Sequence, residues 1–68
     1  MSKEAAFLIY CMEIVKRSKQ LSGKQVYALF EKYRLFGFVT DYYELLHVHG
    51  EKYILQDIDE RIVETRAG

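Results

Sequence analysis

The sequence predicts an all-α fold, a compact bundle of about four helices with one short extended segment before the last of them. Three observations lead there. Apolar residues recur at helical spacing along most of the chain, a Ser-x-x-Gln helix start stands at Ser22–Gln25, and proline is absent.

The first helix is predicted over Lys3–Lys19. Ser2 is placed to cap its start, and Lys16, Arg17 and Lys19 lie in the last turn, where cations complement the helix dipole. Its main apolar face is Phe7, Cys11, Ile14 and Val15, flanked by Leu8 and Tyr10. Ile9 lies off that face, on the side of Ala5, Glu13 and Lys16, with Met12 nearby. Ser22 and Gln25 form a capping box for the second helix, and Leu21 with Val26 matches a hydrophobic staple. Val26, Leu29, Phe30 and Tyr33 make its buried stripe, and "RLFG" ends the pattern near Gly37. A third helix follows with Phe38, Val39, Tyr42, Leu45 and Leu46 on one face and Thr40, Asp41 and Glu44 toward solvent. Gly50 stands where a helix commonly ends in a left-handed residue. "KYIL" after it is β-prone and is read as the extended segment. Asp57 then caps the last helix, with Glu60 in the capping-box position.

At this length residues 1–68 form a single domain, and roughly 60% of the unfolded chain's surface is buried on folding. Cores of this size are commonly supplemented by disulfides, a metal or association with another chain. Cys11 is the single cysteine, so no internal disulfide forms, and a lone thiol suits a reducing cytosol. Half the residues are hydrophobic and 15% aromatic, enough to build a core. The apolar run Ala5–Met12 stops at Glu13, well short of the ~20 residues of a membrane span, and no signal-type cleavage site follows. A cytoplasmic protein with no membrane segment is expected. Charge is balanced overall but divided: residues 1–34 carry seven basic and three acidic side chains, residues 35–68 three basic and seven acidic.

Candidate chemistry reduces to structure at each point. His47 and His49, two apart, point nearly opposite ways on a helix, and Glu51, Asp57 and Asp59 supply no metal-site spacing. The histidines are read as terminal-turn residues favoured by the helix dipole. "SGK" at Ser22–Lys24 lacks the first glycine and the spacing of a phosphate loop. Cys11 between Phe7 and Val15 is expected to be buried and inert. No enzyme, no cofactor and no metal is therefore expected. A helix-turn-helix reading sets "FVTDYYELLH" in the DNA groove, where Asp41 and Glu44 oppose phosphate. Lys16, Arg17, Lys19 and Lys24 keep nucleic-acid binding or regulation as the alternative. Helix one is apolar on a second side, and Ala5, Ile9, Met12 and Lys16 are the interface candidates for a homodimer in which this patch meets itself.

"LSGKQVYALFEKY", "YYELLHVHG" and "YILQDIDERI" together resemble a small bacterial family, domain of unknown function family 3791, over nearly the whole chain. On this sequence the shared elements are Gly23-Lys24, Val26, Leu29-Phe30 and Tyr33, then Tyr43, Leu46-His47 and Gly50, then Tyr53-Ile54 and Asp57-Ile58-Asp59; His49 is incidental to the pattern. The resemblance carries over no catalytic residue. It implies a partner protein, encoded nearby, in a toxin–antitoxin-like or phage-defence setting. The expectation is a protein-interaction module that self-associates or binds another protein.

Overall fold

A computed structural model describes residues 1–67, with Ala67 described by its backbone alone. Among them are five helices and no strand: α1 Lys3–Lys19, α2 Gly23–Lys32, α3 Leu35–Asp41, α4 Tyr43–Leu46 and α5 Glu51–Ala67. The all-α class is as the sequence predicts.

α1 starts where Ser2 Oγ accepts the Ala5 amide at 3.0 Å. It ends at Gln20, which adopts the left-handed conformation while its own amide and that of Leu21 both donate to the Lys16 carbonyl. This is a Schellman-type stop built without glycine. α2 has the full capping box: Ser22 Oγ accepts the Gln25 amide at 3.1 Å and Gln25 Oε1 accepts the Ser22 amide at 2.8 Å. Both starts are short-range hydrogen-bond patterns.

α1 lies at the centre and packs against α2, α3 and α5. Its Cys11, Ile14 and Val15 cluster with Val26 and Phe30 of α2 and Tyr33 at the end of that helix, Leu35 and Val39 of α3, and Ile54, Ile58 and Ile62 of α5. Burying each larger apolar side chain contributes ~1.5–3 kcal/mol, so this one cluster holds the domain together. Phe7, Leu8, Met12 and Leu29 pack on its margin.

Several expectations are corrected. The chain breaks at Arg34, left-handed at φ 55°, and not at Gly37, which sits within α3 at negative φ. Leu35 and Val39 are one helical turn apart and both buried, and a helix starting at Leu35 is what takes both inside. That burial offsets the ~1–2 kcal/mol of a left-handed non-glycine residue. The predicted third helix is two short ones, interrupted at Tyr42 (φ −102°, ψ 21°), which leaves Tyr42 and Leu45 outside while Val39 and Leu46 go in.

The extended segment is also absent. Lys52–Leu55 belongs to α5, and Gly50, with no positive φ, stands before that helix, its carbonyl accepting the Ile54 amide at 3.1 Å. Asp57 and Glu60 therefore lie inside α5 and cap nothing. Ile54, Ile58 and Ile62 repeat every four residues, and keeping all three on one buried stripe requires one uninterrupted helix.

Replacing Ser22 by Ala should lower stability by ~1 kcal/mol, whereas Asp57→Ala, in a helix interior, should change it by only ~0.5 kcal/mol in either direction. Denaturant unfolding of the two variants checks both figures, and a larger loss at Asp57 would restore a helix start there.

Candidate functional site

The two halves of unlike charge meet within the molecule. Lys3 Nζ lies 3.6 Å from Glu44, Arg17 Nη2 donates to Glu51 at 3.0 Å, and Lys19 Nζ lies 2.9 Å from Asp59. These pairs fasten the ends of α1 to α4 and α5, although exposed pairs contribute only ~0–1 kcal/mol each. Phe7 also meets Tyr43 edge-on at 5.4 Å between ring centroids, so one side of α4 is turned toward α1.

On the other side of α3 and α4, facing α5, a cleft of about 370 Å³ opens. Phe38, Tyr42, Leu45 and Leu46 of the α3–α4 segment line it, together with His49 and Tyr53. Leu45 is 66% exposed, Tyr42 49% and Tyr53 48%. Phe38 and Tyr42 lie 5.3 Å apart between centroids, and His49 stacks on Tyr53 at 3.8 Å. The α5 wall is charged, with Asp57, Glu60 and Glu64 alongside Arg61. The Arg61 guanidinium sits 5.4 Å over the Phe38 ring, and its buried Nε finds no hydrogen-bond acceptor among the described residues. Asp57, Glu60 and Glu64 form no ion pair among the described residues, in contrast to Glu44, Glu51 and Asp59.

The interface candidates of α1 are placed differently. Ile9 is 49% exposed, but Ala5, Met12 and Lys16 are partly buried and Met12 packs on the core. The Ile9 side is thus a single half-exposed side chain flanked by Tyr10, not a continuous strip.

His47 and His49 are engaged separately. His47 Nδ1 donates to the Tyr43 carbonyl at 2.8 Å while its ring stacks on Tyr43, and His49 stacks on Tyr53. The described residues contain no grouping of three or more His, Cys, Asp or Glu side chains that could hold a metal. Near the far end of α5, Arg66 Nε donates to the Tyr33 hydroxyl at 3.2 Å. That hydrogen bond, helped by the Arg66 and Lys32 charges and opposed by burial, holds the Tyr33 phenol below its ordinary range.

Cys11 is fully buried, and burial pushes its thiol up to about 12. Its neighbours are apolar, which suits a packing residue and not a thiolate nucleophile. No helix of the described residues is long and apolar enough to cross a membrane.

The cleft itself is not among the sequence-derived candidates. The signal for it is present but divided between two places: Tyr42 and Leu45 on one segment, and Tyr53, Asp57, Glu60 and Glu64 at helical spacing on another. They come together only once α5 is read as starting at Glu51.

Residues 6–65 match the family described as protein of unknown function (DUF3791), and the chain belongs to that family. No curated protein and no solved structure matches the chain.

The Cys11 thiol links stability to alkaline pH. The folded state keeps this proton up to about 12, whereas an unfolded thiol releases it near its ordinary value of 9.0. The native state then binds more protons, so stability falls as pH rises between those values. Cys11→Ala should cost ~1 kcal/mol at neutral pH, and the gap between wild type and variant should narrow with rising pH. Parallel denaturant titrations across that range measure the gap, and a constant gap would contradict the assignment.

Proposed function

We propose that this member of the family is a non-enzymatic protein-interaction module whose working face is the cleft between α3–α4 and α5. The observation that carries the reading is the exposure of three large apolar side chains, Tyr42, Leu45 and Tyr53, around one concave surface of a small domain. Aromatic residues are enriched at the centres of protein interfaces, where a ring buries much area at little entropy cost. A non-catalytic role is supported by the inert setting of Cys11 and by the separate stacking partners of His47 and His49. The lone thiol supports a cytoplasmic setting.

The test is a pair of polar substitutions, Leu45→Gln with Tyr53→Gln. Both positions are exposed, so the double variant should unfold within about 1 kcal/mol of wild type. Tagged wild-type protein recovered from its host should retain a stoichiometric protein partner that the double variant loses. Retention of the same partner by both, or no partner with wild type, would overturn the reading.

Half-exposure of Ile9 beside Tyr10 supports a second reading, self-association through α1. In that case the wild type is a dimer, and Ile9→Glu is folded and monomeric by light scattering. A wild type already monomeric at high concentration removes this reading.

A further inference from the structure

We propose that the occupant of the α3–α4/α5 cleft is a cationic amphipathic helix of another protein, an inference that rests on the cleft being the working face. Its first ground is charge. α1 supplies cations to Glu44, Glu51 and Asp59, yet none reaches Asp57, Glu60 or Glu64, whose carboxylates follow one side of the cleft. Among the described residues that line the cleft the one Lys or Arg is Arg61, whose guanidinium lies over Phe38, so three carboxylates face one basic group. A ligand of positive charge fits that rim, and a like-charged one is repelled.

The second ground is shape. Tyr53, Asp57, Glu60 and Glu64 follow α5 at the spacing of successive helical turns, and at 1.5 Å per residue they span roughly 16 Å. About three turns of a helix laid alongside match this length. Opposite the carboxylates, Tyr42 and Leu45 offer an apolar wall for anchors at i, i+3 or i+4 and i+7, as in helix-in-groove recognition. Lys or Arg on the flank of such a helix then lies over the α5 carboxylates.

A displayed library of helix-forming peptides of about 15 residues, selected on wild-type chain, provides the probe. Its consensus peptide is then synthesised and its affinity measured by fluorescence anisotropy. The expected consensus has large apolar residues at helical spacing with Lys or Arg beside them. Binding should weaken at least about tenfold with Glu60→Lys/Glu64→Lys, with Leu45→Asp, and with rising salt. Circular dichroism confirms that both variants remain helical. A neutral or acidic consensus, or one indifferent to Glu60→Lys/Glu64→Lys, overturns the cationic helix while leaving the cleft as the working face. Peptides indifferent to Leu45→Asp, or no selected binder, overturn both. Self-association of wild type abolished by Leu45→Asp assigns the cleft to a second copy and overturns the inference.

Discussion

The burial of α1 along one side is the constraint on which the other helices depend. Cys11, Ile14 and Val15 are withdrawn from water almost completely, and α2, α3 and α5 each contribute part of the surface that covers them. A chain of 68 residues has room for little more than this one core. Each other element is therefore placed by what it adds to that cover: Phe30 from α2, Leu35 and Val39 from α3, and the isoleucine stripe from α5. The local irregularities follow from the same demand. Gln20 and Arg34 accept left-handed backbone conformations because the chain has to reverse within a few residues after α1 and α2 and return to the core.

The same constraint produces the cleft. α3 and α4 face the core with Val39 and Leu46, and the interruption at Tyr42 leaves Tyr42 and Leu45 without cover. α5 buries Ile54, Ile58 and Ile62, which turns Tyr53, Asp57, Glu60 and Glu64 toward that uncovered side. Electrostatics then separates the acidic residues of α4 and α5 into two sets. Those within reach of α1 are paired, and those across the cleft are left for solvent or for a ligand. The division of charge along the sequence is thus partly an internal docking pattern, and Asp57, Glu60 and Glu64 of the surplus lie at one surface.

What the sequence reveals is what is decided locally. The Ser2 cap and the Ser22–Gln25 box involve atoms within three residues of each other, and both helix starts are legible to the residue. The buried stripes of α1 and α2 follow directly from helical spacing. The errors lie where tertiary burial overrides a local signal. Asp57 with Glu60 has the form of a helix start, and Gly50 that of a helix stop, yet the four-residue spacing of Ile54, Ile58 and Ile62 runs through the supposed start and decides the outcome. The cleft is not legible in the sequence because it joins residues of two segments whose local signals point the wrong way: a continuous third helix puts Leu45 on the buried side, and a strand-like "KYIL" leaves Tyr53 without a direction.

The central claim is that the free chain keeps Tyr42, Leu45 and Tyr53 in water while Leu46, next in sequence to Leu45, is inside. Side-chain-resolved NMR relaxation by a soluble paramagnetic agent measures this directly on the unbound protein. The account predicts strong enhancement for the Leu45 methyls and the Tyr42 and Tyr53 rings, and little for the methyls of Leu46 and Ile58. Equal protection of Leu45 and Leu46 would contradict it, because the cleft would then be closed by the chain itself or by a second copy.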